Sequence, residues 1–370
     1  MRVAIVTESF LPTINGVTNS VIQVNRTLVS QGHQVVILAP DVNSRPKFFE
    51  GSEVIGLPAI NLQKILPVAV PNFLIQRALL DFRPDVIHLA SPAIMGAHAQ
   101  RVASKLAIPT VAVYQTDYVG FAQHYKFSFA QRAIEKIVRV IHQSATINLA
   151  PSTFAIAQLN RAGVNNVARW GRGVDLEQFN PKHRRVDLFP RDKFVLGFVG
   201  RLAPEKGIER LTALDSRNDI QLVIIGDGPM RTELERKLPS AIFTGKKSGL
   251  ELGQHFASLD AFIHPGEHET FCQAAQEALA SAVPVIAPTR GGIKDFILDG
   301  VNGILVDFQD KSALANIPSS KWQFLSDPQT KDAARESVKD RSWESVNQEL
   351  IGHYQSVVAQ SRAKRVGLAS

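Results

Sequence analysis

The chain has 370 residues, 45% hydrophobic and 20% charged, which suits a globular protein with a full core and two domains. A single cysteine excludes an intrachain disulfide and any cysteine-rich metal site. The net charge of +7 is uneven: residues 1–180 hold 16 Lys+Arg against 10 Asp+Glu, and residues 181–370 hold 25 against 24. An excess confined to the first half suits an anionic partner there, a lipid surface or an acidic acceptor. No Lys/Arg-rich helix interleaved with aromatics points to nucleic acid.

The opening run Met1–Val6 reads as a short strand that meets Glu8, not as a signal peptide. No window of about 18 uninterrupted apolar residues is present, so no membrane span is expected and a cytoplasmic protein is. Strands are predicted at Val3–Thr7, Gln34–Ala39, Val86–Leu89 and Pro109–Tyr114. A second set follows at Phe194–Val199, Leu222–Ile225, Ala241–Phe243, Asp260–His264 and Val283–Ala287. Their continuous Val/Ile/Leu runs indicate strands covered on both faces, and helical stretches separate them. This is an α/β chain with one βαβ series repeated twice. Gly16 falls in the loop after the first strand, before a helix starting near Thr18, where a glycine lets backbone approach a phosphate closely. Asn15-Gly16 alone is only a turn dipeptide. Between Gly56 and Ile75 stand one charge, Lys64, and three prolines. Phe129–Ile141 has helical spacing with Arg132, Lys136 and Arg139 on its polar face. Such a helix lies at a lipid interface or packs on its own sheet.

Glycine, proline and charge cluster over residues 168–192 without apolar period, as a linker requires. The division is therefore residues 1–170, residues 171–342 and a final helical stretch, 343–370. Arg201 and Lys206 follow the strand Phe194–Val199, in the loop at a strand's carboxyl end where open α/β sheets bind ligands. Further on, Glu269 and Glu277 stand eight positions apart, with a helix predicted from about Phe271 to Ser281. Glu269 then falls at or just before the helix N-terminus, and Glu277 lies about two turns along, roughly 12 Å. Free N–H groups of the first turn lie between them and suit an anion. A sugar nucleotide has this layout of sugar, diphosphate and ribose, although the spacing alone also fits an exposed helix with solvated glutamates. Cys272 sits within the motif as a small buried thiol.

No Asp-x-Asp occurs, so the usual carboxylate pair that holds Mg²⁺ or Mn²⁺ on a diphosphate is missing and no metal is expected. His264-Pro-Gly-Glu267-His268 matches a zinc pattern by letters, but Pro265-Gly266 argues against the helix that pattern needs. A nicotinamide-dependent oxidoreductase would need Gly-x-Gly-x-x-Gly; Gly226-Asp-Gly228 has Arg231 in the third place and Gly171-Arg-Gly173 has Leu176. A non-catalytic sugar-binding protein should lack the Arg201/Lys206/Glu269/Glu277 set and carry an export signal.

Beyond its spacing, Glu269-x7-Glu277 resembles the signature of the retaining glycosyltransferases of family 4. Other landmarks occur in that family's order: Ser9–Val17, Gly171–Pro181, Gly200–Gly207, Ile225–Pro229 and Gly300–Val306. The opening, Gln115-Thr-Asp117 and His264–Gln273 are most similar to the actinobacterial GDP-mannose-dependent α-mannosyltransferases that work on membrane glycolipids. The resemblance implies a GT-B architecture, two Rossmann-like doubly wound domains facing a central cleft, with the last helix returning to the first domain. It implies a retaining transfer of mannose from GDP-mannose to a glucuronosyl diacylglycerol or phosphatidylinositol mannoside; a UDP-sugar hexosyltransferase is the alternative. Arg201 and Lys206 would grip the diphosphate, together with Gly16 and the backbone of Thr270, Phe271 and Cys272. Glu269 would contact the sugar and Glu277 the ribose. Many relatives carry a histidine where this chain has Gln115, and Asp117 is kept as a candidate contact to acceptor or sugar. No cofactor is implied, and the enzyme would be peripheral at the inner face of the plasma membrane.

Overall fold

The computed structural model describes residues 1–62, 66–69, 73–115 and 131–367. These form two units, one drawn from the chain up to Arg172 and from Trp343 onward, the other spanning Gly173–Ser342.

The first unit holds an eight-stranded sheet in the order β10-β9-β8-β7-β1-β2-β4-β3. Its strands are β1 (Arg2–Thr7), β2 (Gln34–Pro40), β3 (Phe48–Phe49), β4 (Ser52–Leu57), β7 (Val86–Ala90), β8 (Thr110–Val113), β9 (Ile147–Ala150) and β10 (Val167–Arg169). A separate antiparallel hairpin joins β5 (Ala59–Leu62) to β6 (Leu66–Ala69). Only the β3–β4 edge of the main sheet is antiparallel. Side chains alternate across the sheet, and β1 shows why its run is apolar throughout. Val3 and Ile5 enter one core, Ala4 and Val6 the other. The C-terminal helix Trp343–Gly367 belongs to this unit and lays Val346, Leu350, Ile351, Tyr354, Val357 and Val358 into the first of these cores.

In this unit the sequence reading misses β3, β4, β9, β10 and the hairpin. For β9 the cause is Asn148, a buried polar residue in a four-residue strand. Its amide donates to the His142 carbonyl (2.9 Å) and to Asn166 Oδ1 (2.8 Å), and its Oδ1 lies 2.7 Å from His142 Nδ1, so the polar group is satisfied inside.

The second unit is an all-parallel six-stranded sheet in the order β13-β12-β11-β14-β15-β16. Its strands are β11 (Phe194–Val199), β12 (Ile220–Ile225), β13 (Ile242–Gly245), β14 (Ala261–Ile263), β15 (Val285–Pro288) and β16 (Gly303–Val306). From β11 the chain builds outward one way through β12 and β13, then returns to place β14 on the other side. The loops after β11 and β14 therefore diverge at a topological switch point, where such sheets bind ligands.

Candidate active site

Two loops build the site, one after β11 and one after β14. The first carries Arg201 and a short 3₁₀ turn, Pro204–Lys206, closed by Gly207 at φ +64°. A Cβ on Gly207 would lie 3.1 Å from the Pro265 carbonyl oxygen, and one on Gly266 would lie 3.1 Å from the Glu205 carbonyl oxygen. The two loops approach so closely that a side chain at either position would force a neighbour to shift, and Gly207 also takes a backbone conformation that favours glycine. That close approach sets Lys206 against Glu269.

The Lys206 ammonium donates to Glu269 Oε1, with both side chains half-buried. Burial alone would raise the Glu269 pKa; the Lys206 charge holds the carboxyl well below the usual carboxylate range. Burial likewise opposes the charge on Lys206, but Glu269 outweighs it and the ammonium's pKa lies above its ordinary value. His264, 2% exposed, stacks near-parallel on Phe198 and Phe262. Its Nε2 lies 3.2 Å from Glu269 Oε1 without the alignment of a hydrogen bond. Its Nδ1 is buried with no partner among the described residues. Desolvation keeps the ring neutral, its pKa lowered.

The loop after β14 is braced on its far side. Buried Glu267 accepts from Arg210 Nη2 (2.7 Å) and Gln309 Nε2 (2.5 Å), and Arg210 Nη1 donates to the Pro265 carbonyl (2.6 Å). The Gly292 N–H donates to the Glu269 carbonyl at 2.7 Å. Residues 264–272 form no helix, so His264 and His268 do not share a helix face.

The motif helix runs Gln273–Ala280, two residues later than expected, and Glu269 precedes it by four positions. The delay has a local cause: Cys272 takes the left-handed conformation at φ +75° and ψ 80°, which stops the helix extending backward. Among the described residues no hydrogen bond reaches the backbone N–H of Phe271 or Cys272. Those two donors and the open first turn suit an anion. The Phe271 ring stacks on Phe296 at 4.8 Å, and Thr270 is buried beside it. Burial pushes the Cys272 thiol up, so it stays protonated. Glu277 is half-buried on the helix, and burial pushes its carboxyl up to about 8.

Arg201 is exposed and pairs with Glu205. Lys206, Glu269, Thr270, Phe271 and Cys272 thus form one neighbourhood of two touching loops, with Arg201 on the same turn and Glu277 on the helix that follows. Lys247, further along the second unit, pairs with Glu251 at 2.5 Å. The other expected residues belong to the first unit. Gly16 opens the helix Gly16–Ser30, two residues earlier than expected, because Asn15 caps it by accepting from the Thr18 N–H at 2.9 Å. Asp117 lies outside the described residues, as do Thr116, Tyr118 and His124.

Three residues escaped the sequence reading. His264 was taken only as the end of a strand, Glu205 carried no role, and Arg172 stood in a quoted motif without one. Arg172 is buried, donates to Gln115 Oε1 and lies over the Trp170 ring at 5.9 Å; burial lowers its pKa to about 10. Its flanking glycines, Gly171 and Gly173, were the signal available.

Comparison with known proteins agrees with this geometry. The family model for Glycosyltransferase Family 4 matches residues 14–178, and that for Glycosyl transferases group 1 matches residues 179–339. The chain is 44% identical to the GDP-mannose-dependent alpha-mannosyltransferase of Corynebacterium glutamicum, over 98% of this chain and 90% of that protein. It is 28% identical to the GDP-mannose-dependent alpha-(1-6)-phosphatidylinositol dimannoside mannosyltransferase of Mycobacterium tuberculosis, over 80% and 82% respectively. Among solved structures, sucrose-phosphate synthase from Thermosynechococcus elongatus superposes with a TM-score of 0.79 at 21% identity, covering 97% of this chain and 99% of that one. With both halves matched by its family models, a hexosyltransferase's relatives along its length and two Rossmann-like parallel sheets, the chain belongs to glycosyltransferase family 4 and has the GT-B fold.

Proposed function

We propose that the enzyme moves mannose from GDP-mannose onto a hydroxyl of a membrane glycolipid, of the glucuronosyl diacylglycerol or phosphatidylinositol mannoside type, with retention at the anomeric carbon. The names of the two mannosyltransferase relatives support the donor, and the second supports a lipid-linked acceptor. The observation that carries the reading is the Lys206–Glu269 pair where the β11 and β14 loops diverge. The departing diphosphate gains negative charge, and Lys206, Arg201 and the N–H groups of Phe271 and Cys272 supply fixed positive potential for it. Glu269, held ionised, supplies the opposite sign for the anomeric carbon. Glu277 accepts from the ribose hydroxyls, since a carboxylate can receive both hydrogens of a diol. Gly16 and Asp117 remain candidates, the first for a donor phosphate and the second for sugar or acceptor. Two side-chain cations and helix N–H groups replace a metal in this reading. Calorimetric competition of GDP, UDP and ADP in EDTA tests it. GDP should bind about tenfold tighter than the others, roughly 1.4 kcal/mol, with no divalent ion present. Equal binding of all three, or a need for Mn²⁺, overturns the donor assignment.

A peripheral membrane position is part of the same reading. Among the described residues no helix is long and apolar enough to cross a membrane. On the helix Gln131–Gln143, Val138 and Ile141 are buried while Ile137 and Val140 are 57% and 55% exposed, beside exposed Lys136 and Arg139. An apolar pair between cations suits an anionic lipid surface better than water. Each cation near such a surface contributes about 1 kcal/mol. Neutralising Arg132, Lys136 and Arg139 together should lower partitioning onto anionic vesicles by roughly two orders of magnitude, with solution GDP affinity unchanged. Equal vesicle binding by the triple variant in a sedimentation assay removes the membrane from the reading.

A further inference from the structure

The two cations assigned to the diphosphate already hold carboxylates in this structure. Arg201 pairs with Glu205, and Lys206 with Glu269. The Lys206 pair is the tighter constraint, because both partners are half-buried and each shifts the other's charge state toward ionised. An ammonium cannot give its full field to a phosphate while an ionised carboxylate sits on it. Glu269 and the diphosphate are therefore competitors for one cation.

We propose that donor binding proceeds by partner exchange: the diphosphate takes Lys206, and Glu269 passes to His264. The inference rests on the reading of Lys206 as a diphosphate ligand. His264 is built to receive the carboxylate. Its Nε2 is 3.2 Å from Glu269 Oε1 but not aligned as a hydrogen bond, and its ring is fixed against Phe198 and Phe262. Neutral imidazole with its hydrogen on Nε2 can donate to Glu269 without taking up a proton. Other charged and titratable groups facing the cluster are Glu205, which adds to the field on Lys206, and Cys272, whose thiol stays protonated. A carboxylate has nothing to donate and a thiol S–H donates only weakly, so neither takes the place of His264. A buried carboxylate left without any partner would be costly, so His264 makes the exchange affordable in free energy. His264 is a positioning residue in this scheme, since it touches Glu269 and not the nucleotide.

The consequence runs against the usual effect of removing a site residue. Glu269→Gln deletes the competitor but keeps the shape, so GDP, which lacks the sugar, should bind tighter than to wild type. The expected gain is about fivefold or more, the scale of an ordinary coupling between two sites. Titration calorimetry with GDP on the full chain tests it, and Glu269→Ala should shift affinity in the same direction if the glutamine variant folds poorly. GDP affinity unchanged or weaker in the Glu269 variants overturns the exchange. Lys206→Met separates the two readings: it should weaken GDP binding, and wild-type affinity there overturns the site assignment itself. His264→Leu should weaken GDP binding about fivefold in the wild-type background. It should have no effect beside Glu269→Gln, and His264→Gln, which can still donate, should restore binding. Equal losses from His264→Leu in both backgrounds would reduce His264 to packing and overturn its part in the exchange.

Discussion

Glu269→Gln is expected to lower the rate of a single turnover with GDP-mannose by about 10²–10³-fold, the scale of removing one preorganised electrostatic group. As the sugar departs, positive charge gathers on the anomeric carbon, and an amide in place of the carboxylate cannot answer it. The substitution keeps volume and leaves the bracing of the loop, which runs through Glu267, Arg210 and Gln309, untouched. Lys206 holds Glu269 well below the carboxylate range, so its ionisation should leave no inflection in the wild-type rate between about pH 5 and 9. Rapid-quench measurement under single-turnover conditions excludes slow release of tightly bound GDP from the comparison. A rate within a few-fold of wild type would remove Glu269 from the chemistry.

Glu277 should give the opposite kind of profile. Burial favours its protonated form and pushes the carboxyl up to about 8, whereas a ribose diol is better received by the ionised form. The sign follows directly. Binding draws on the ionised fraction, so GDP affinity is complete above about pH 8 and is lost as pH falls through it, by up to about tenfold per unit. Glu277→Gln cannot ionise. It should weaken GDP binding about 10–100-fold at pH 8.5, the range for charge-assisted hydrogen bonds to one carboxylate, and should flatten this slope. Titrating both proteins with GDP between pH 6 and 9 cancels the nucleotide's own ionisation. Parallel profiles for the two would show that Glu277 does not meet the ribose.

These expectations draw on residues of unequal legibility. The strands β1, β2, β7, β11 and β12 could be read because both faces are buried and the runs are unbroken. β9 could not, because Asn148 interrupts it and only the distant Asn166 and the neighbouring His142 satisfy that group. Glu269 and Glu277 stood out by their spacing along the sequence. The start of their helix was misplaced because nothing in the letters marks Cys272 for a left-handed backbone, a conformation imposed by the loop it closes. Lys206 was found by its loop, but its pairing with Glu269 spans 63 positions and depends on two loops approaching closely at Gly207 and Gly266. His264 was invisible as a partner for the same reason: its role comes from two phenylalanines and a carboxylate set by packing. Gln115 stood out as a departure from the histidine of many relatives, yet Arg172, 57 positions away, is what occupies it.

A ribosome delivers Gly173–Ser342 before it delivers the last pieces of the first unit's core. Among the described residues the second unit is one continuous stretch, and it has all of its strands once Ser342 emerges. The first unit at that moment still lacks Val346, Leu350, Ile351, Tyr354, Val357 and Val358. Six such burials contribute on the order of 10 kcal/mol before entropy is counted, comparable to the whole net stability of a typical domain. The half of the chain that is synthesised first is therefore the half that finishes folding last. Until residues 346–358 emerge, the growing chain carries an uncovered apolar sheet face, the kind of surface that chaperones bind.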